Sequence, residues 1–456
     1  VTAAGQDETA DRAAVRPARS FARDGVTTVI VTALTMGLGL LTGIIVARTL
    51  GPDGRGALTA VLTVPQVLGW LFGMGCGKAV TFALARDPAA GGRLLATWAL
   101  ILVPVALVAV LTGEALLPHL LAAQPAETLA LARLYLPTIA LALMAELMLG
   151  LLLGDQDFPV FNALAFAQPA ATAAAYLLLW ADGRFTVESA VVTQAVTSAL
   201  VLLAATIRVV SRHGLARPDA ALGRRTGWYA LRTHGEVVGG VVTQRLDLLI
   251  IPAFLSAAGV GLYALATNLS WLVVTLSSAL ATVVMPAASH RGEGGRTLIL
   301  HSLHATFAIG AVLGGGLFLF AGPAIHLVYG PDFAGSVLPL RLLLPGAVLY
   351  AAAGILLNGL YAENRPGTAT VAQSLGMAVT VLALPVFLRS GGLLAAAIVS
   401  TVAYTLVFVT AAVLYRRATG LPWRAFLPDP ARLAALWPRR RPGRAATESA
   451  ATETAG

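Results

Sequence analysis

A charged side chain within a lipid-facing apolar segment costs about 2.5–3.5 kcal/mol on insertion scales, so each one in this sequence needs a reason. Arg245 and Asp247 lie midway along the apolar stretch 234–255, while Lys78 and Glu146 lie within the stretches 57–85 and 129–153. Arginine offers a planar fork of donors that fits phosphate or carboxylate oxygens two at a time. An aspartate beside it can carry a proton or hold a neighbouring base. Residues two apart on a helix do not face each other, so Arg245 and Asp247 are read as separate contacts to a ligand, or as interhelical locks. Lys78 and Glu146 sit at equal depth, about 10 Å from the same side. That depth fits an ion pair or two contacts to one entering headgroup, with snorkelling of the Lys78 stem as the plainer alternative. Arg48 and Arg55 flank the turn sequence Gly51-Pro52-Asp53-Gly54. They either draw an anion toward that mouth, or they serve locally, Arg48 on the carbonyls ending the first helix and Arg55 on Asp53. Gln66, Gln244, Asn268 and Asn358 add neutral donors and acceptors, which in membranes most often join helices.

The elements that must position these residues are set by composition. The 456 residues are 57% apolar and 12% charged, with a mean hydropathy of +0.79. Soluble domains run roughly 45–50% apolar and about 25% charged, so a soluble enzyme and a disordered scaffold are both excluded. Twelve apolar runs are long enough to cross a bilayer: 25–47, 57–85, 94–112, 129–153, 158–181, 187–207, 234–255, 260–285, 297–321, 336–361, 367–388 and 392–415. Helices are required, because lipid leaves no backbone group unpaired and no alternating barrel pattern is present. The first run lacks the flanks of a cleaved signal and reads as a retained helix. Cys76, the single cysteine, permits neither an intrachain disulfide nor a thiolate metal cluster.

The net charge of +9 is a topology signal rather than a nucleic-acid footprint. Of 31 basic residues 30 are Arg, and 23 of them fall on one side of the twelve-span arrangement against 4 on the other. The positive-inside rule then places both termini and the central loop in the cytoplasm.

An internal repeat divides the chain. Gly92-Arg93 matches Gly295-Arg296, His119 matches His326, and Pro137 matches Pro345. Gly154-Asp155 falls on Ala362-Glu363, Gln168 on Gln373, and Gly56 on Gly261. The separation stays within 203–208 residues, equal to six helices. Halves shifted by an even number of spans share an orientation, the parallel-repeat arrangement in which two bundles rock about a site between them.

Three segments carry a family resemblance: GIIVARTLGPDGRGAL (43–58), TQRLDLLIIPAFLSAAGVGLYALATNLS (243–270) and VYGPDFAGSVLPLRLLLPG (328–346). Over residues 21–416 the chain resembles the oligosaccharide flippases of the multidrug/oligosaccharidyl-lipid/polysaccharide exporter superfamily. The resemblance implies two six-helix lobes around a central cavity, and transfer of an undecaprenyl-pyrophosphate-linked glycan from the inner to the outer leaflet. Arg245 would then meet pyrophosphate, Arg48 and Arg55 would draw it outward, and the amides would face sugar. The expected layout is a cytoplasmic arm (1–24), an N-terminal lobe (25–210), a basic linker (211–233), a C-terminal lobe (234–415) and a basic tail (416–456).

Two relatives fit less well. Many drug/cation antiporters of the superfamily hold an acidic residue in the first helix, where residues 25–47 offer only threonines as polar side chains. Lipid II flippases typically have fourteen helices and arginines inside the first two, against twelve here and no Arg in 25–47. A membrane polymerase or glycosyltransferase would need a large outer loop or an acidic metal site. The longest outer connection, 113–128, has only Glu114, His119 and Glu127 as ionisable groups. No Walker sequence is present, so ATP is not the direct driver. The expectation is a monomeric transporter of the bacterial cytoplasmic membrane that handles a lipid-linked oligosaccharide. It would use no cofactor, metal or nucleic acid, and a coupling proton or sodium ion is left open.

Overall fold

The computed structural model describes residues 18–289, 293–363 and 365–426, with the side chains of several further residues inside helices, Gln244 among them, left undescribed. The N-terminal arm before residue 18 and the tail after 426 lie outside it. Twelve helices follow in order among the described residues: α1 (Ala18–Phe72), α2 (Cys76–Arg86), α3 (Gly91–Leu120), α4 (Ala126–Tyr135), α5 (Thr138–Gly154), α6 (Phe158–Ala181), α7 (Val187–His213), α8 (Ala220–Ile250), α9 (Ala257–Ser289), α10 (Glu293–Tyr329), α11 (Val337–Ala362) and α12 (Pro366–Thr419). Nine described segments are long and apolar enough to span a bilayer. Two of these turn back on themselves at a glycine, α1 at Gly51 (φ 65°) and α12 at Gly392 (φ 55°). This is a multi-pass, all-helical membrane protein. The stretch expected as a linker is already helical from Ala220 and continues unbroken through Gly239-Gly240.

Helix faces follow from what surrounds them. On α3, Leu100, Val103, Leu107 and Leu111 are each about three-fifths exposed, while Trp98, Leu102, Ala106, Ala109 and Gly113 face inward. Exposed apolar stripes of that length are unfavourable in water and natural against lipid. The inner stripe holds small residues because helices in lipid associate by close van der Waals packing.

The chain folds into two compact units. The first runs through Leu269 and includes Phe320–Leu343 and Gln373–Ala403. Trp98 lies at its centre, its indole N–H donating to the Thr226 hydroxyl at 3.1 Å. Two acidic residues beyond α5 hold the end of α7: Asp155 meets His213 at 2.7 Å and Arg212 at 3.0 Å, and Asp157 meets Arg208 at 2.5 Å. The second unit comprises Ser270–Leu319, Leu344–Ala372 and the chain from Tyr404. Its centre is aromatic, with Tyr350 and Tyr404 rings 5.0 Å apart and Trp271 5.7 Å from Tyr350. Arg296 grips Glu363 through two hydrogen bonds, 2.8 and 3.1 Å.

The repeat seen in the sequence is also geometric. Gly183 and Gly392, 209 residues apart, both take positive φ where one span turns into the next. Gly214 and Gly420, 206 apart, both do so at the ends of α7 and α12. Gly56 and Gly261 meet within the first unit. A Cβ on Gly56 would lie 1.7 Å from the Ala257 carbonyl oxygen, and one on Gly261 would lie 2.1 Å from that of Pro52. Each half thus presents the same glycine to the same backbone position of the other.

Candidate functional site

Arg55 is the buried cation around which the site is built. After Gly51 turns the chain, Pro52 starts the returning segment with the φ it already prefers, so Arg55 faces the helix it has just left. Its Nη1 donates to the Gly43 carbonyl at 2.8 Å, and its guanidinium carbon lies 5.8 Å and 6.0 Å from the ring centres of Tyr329 and Phe333. The residue is 6% exposed, and its Nε has no hydrogen-bond partner among the described residues. Arg55 is therefore turned inward to Gly43, where the local reading of the sequence aimed it at Asp53. Its neighbour Arg48 also departs from expectation. Arg48 donates from Nε to the Val328 carbonyl at 2.9 Å and from Nη2 to that of Leu327. It covers the last carbonyls of α10 instead of those of its own helix, because that helix end lies beside it and carries the same partial negative charge.

The Arg55 guanidinium opens on a cavity of about 520 Å³. Thr42, Thr59, Gln168, Thr172, Tyr176 and Gln194 supply its polar wall. A second cavity of about 360 Å³, with Gln66, Trp70, Thr138 and Ser198 on its wall, shares Leu62, Ala165, Gln168 and Gln194 with the first. The two form one polar tract inside the N-terminal half. A hydrogen-bond ladder between α6 and α7 fixes it: Gln168 Nε2 donates to Ser198 at 2.7 Å, and Thr172 lies 2.9 Å from the Thr197 hydroxyl. One cation set in neutral hydroxyls, amides and rings suits a ligand that is anionic at one end and hydroxylated elsewhere. Sequence reasoning anticipated Arg55 and Gln66 but passed over the α6 stripe. Gln168, Thr172 and Tyr176 recur every four residues, which is the signal that marks one helix face.

The other anticipated residues lie elsewhere. The chain breaks its helix at Gly73-Met74-Gly75, where Met74 and Gly75 take positive φ, and α2 begins afresh. Glu146 packs into that break, its Oε1 accepting the Gly77 N–H at 3.1 Å, and a carboxylate at a helix N-terminus is well placed against the orphan N–H groups there. Lys78 is exposed on the following residue. Asp247 is buried: Oδ2 accepts the Tyr263 hydroxyl at 2.7 Å, and that hydroxyl lies 2.9 Å from Ser400. This chain joins α8, α9 and α12 as an interhelical lock. Arg245 is half-buried, Asn358 is half-buried and Asn268 exposed, and none of the three lines the polar tract. The Gln244 side chain lies outside the described residues.

Residues 21–290 match the family described as "Polysaccharide biosynthesis protein". The chain belongs to this family. Among family-related proteins, a probable low-salt glycan biosynthesis flippase, Agl15, of Haloferax volcanii is 22% identical over 195 residues, covering 42% of this chain and 41% of that protein. The aligned region is thus under half of the relative's own length. Two solved structures share the fold. The lipid II flippase MurJ in an inward closed conformation has a TM-score of 0.72 at 15% identity, covering 88% of this chain and 89% of MurJ. An inward-facing multidrug resistance MATE family transporter of the MOP superfamily has a TM-score of 0.69 at 14% identity, covering 85% and 96%. The fold of this family member is accordingly the two-lobe fold of that superfamily.

Proposed function

We propose that this protein flips an undecaprenyl-pyrophosphate-linked oligosaccharide from the inner to the outer leaflet of a bacterial cytoplasmic membrane by alternating access. Family membership and the glycan flippase of Haloferax support a glycan cargo. The observation that carries the reading is Arg55, buried with an unmatched Nε donor at the head of a tract of hydroxyls and amides. A phosphate oxygen would complete its donor set, and the Thr, Gln and Tyr side chains would offer sugar hydroxyls the donor and acceptor capacity left beyond their own ladder. The polyprenyl chain would stay in lipid. Arg245, on α8 and outside the tract, is the second candidate contact for the pyrophosphate. A cation antiporter is the weaker reading, because the described lining of the tract contains no carboxylate to hold a cation.

The test is flipping of a fluorescent undecaprenyl-pyrophosphate oligosaccharide in proteoliposomes. Wild type is expected to flip it. Arg55→Gln should insert normally and lose at least about tenfold in rate, the weight of a charge-assisted hydrogen bond, and Arg245→Ala should show a smaller loss. A wild type that flips no lipid-linked sugar, yet expels organic cations down an imposed proton or sodium gradient, overturns the cargo assignment. Preferential flipping of lipid II over longer glycans would overturn the oligosaccharide.

A further inference from the structure

The start of α8 builds a second site that the transport tract does not use. Where α2 ends against the first turns of α8, a cavity of about 490 Å³ is lined by Phe82, Arg86, Arg225, Trp228, Tyr229 and Arg232. The aromatic rings are arranged as walls. Phe82 stacks on Tyr229 with centroids 4.6 Å apart and planes 6° from parallel. Arg86 lies 4.1 Å above the Phe82 ring, and Arg232 lies 4.9 Å above Trp228. None of the three arginines has a carboxylate within 4.0 Å among the described residues. The one carboxylate on the lining, Asp87, is engaged elsewhere, with Oδ1 accepting the Ala89 N–H at 3.2 Å and Oδ2 facing Arg93 at 3.3 Å. Asp219 also exerts a field on Arg225, but it caps α8, accepting the Ala221 and Leu222 N–H groups at 3.0 Å each.

We infer that this pocket binds the phosphodiester headgroup of an anionic phospholipid in the leaflet on the arginine-rich side. Three guanidinium groups with no carboxylate within 4.0 Å among the described residues make the pocket electropositive, and two of them sit over aromatic rings, a contact that leaves N–H donors for phosphate oxygens. The rim points to a lipid over a soluble anion. Trp228 is 59% exposed and Phe82, on the same lining, is exposed too, and aromatic side chains beside arginines are what the headgroup layer accommodates. The inference is independent of the cargo. Its consequence is that the amphipathic beginning of α8 is fastened to the membrane surface by charge.

The experiment uses the full chain in phosphatidylcholine nanodiscs doped with acyl-brominated lipid, which quenches tryptophan on contact. The difference between the protein and its Trp228→Phe variant isolates the signal of the site. Brominated phosphatidylglycerol is expected to quench that signal at a lower mole fraction than brominated phosphatidylcholine. Arg225→Gln and Arg232→Gln should each reduce the preference about fivefold, and raising the salt should reduce it in the unaltered protein. Equal quenching by the two lipids overturns the inference, as does a preference indifferent to salt or to both substitutions. Loss of the preference to added inorganic phosphate at constant ionic strength overturns the lipid and assigns the pocket to a soluble phosphate.

Discussion

Two pairs of equivalent charges do different things in the two halves of this chain. In the second half Arg296 and Glu363 bind each other, fork to carboxylate. Their counterparts in the first half, Arg93 and Asp155, each bind something else. Arg93 lies 3.3 Å from Asp87 and 3.4 Å from Asp219, and Asp155 holds His213 and Arg212. The cause is the chain that leaves α7. It runs beside the first-half positions and brings His213 and Asp219 to them, so charges that close on themselves in one half serve in the other to fasten the connection between halves. The same repeat position therefore keeps its charge and changes its partner.

Several substitutions would break or sharpen that comparison. The largest effect is expected where the halves are most alike. Gly56→Val forces a side chain onto the Ala257 carbonyl, and Gly261→Val onto that of Pro52, so each should cost about 3 kcal/mol of unfolding free energy in detergent. A severe Gly56 variant paired with a silent Gly261 variant would end the claim of a symmetric crossing. Next, Asp155→Ala leaves the enclosed His213 ring without its acceptor and takes one of two carboxylates from the exposed Arg212, and should cost about 2 kcal/mol. Glu363→Ala breaks a partly exposed pair and should cost about 1 kcal/mol. The order of the two in denaturant titrations is the check. Exchanging the charges sharpens it further, since Arg296→Glu with Glu363→Arg should recover much of the loss, whereas Arg93→Asp with Asp155→Arg should recover none.

The smallest effect is one of pH. Hydrogen bonds from Arg296 hold the Glu363 carboxyl below its ordinary value of 4.5. The Leu222 and Ala221 N–H groups, with Arg93 and Arg225, hold Asp219 below its ordinary 3.8. A carboxyl depressed on folding stabilises above its unfolded value and stops doing so as the pH falls through the folded one. Stability should therefore be insensitive to these groups from neutral pH down to about 4.5, then decline as first Glu363 and afterwards Asp219 take up protons. Glu363→Gln should flatten the upper part of that decline. An unchanged acid limb in the variant would show that the carboxyl titrates normally.

Much of this architecture was legible because lipid imposes it. Apolar runs had to be helices, and the nine described spans become eleven once the turns at Gly51 and Gly392 are counted, each matching an expected crossing, with the twelfth, 234–255, falling on α8 outside those nine. The repeat was legible because glycine is needed wherever φ is positive or backbones touch, which keeps such residues at fixed separations. Partners were not legible. Arg48 finds carbonyls 280 residues away, and no local pattern encodes which helix end will lie beside it. The restart of the helix at Cys76 depends on a left-handed Met74, a conformation that composition does not announce. The polar tract escaped notice for a different reason. Its ladder is neutral, and attention to the energetic cost of buried charge passes over residues such as Gln168 and Thr172, whose cost is settled by hydrogen bonds to neighbouring hydroxyls and amides.

The glycine crossing has a consequence for ancestry. When residue 56 of one segment meets position 257 of another, and 261 meets 52, the contact is isologous, the form taken by two identical subunits across a two-fold axis. A single six-helix ancestor could have met its own copy through this surface as a homodimer. Joined in one chain, the two copies need no longer satisfy both roles at once. One half was free to bury an arginine in a polar tract, while the other kept its charges paired.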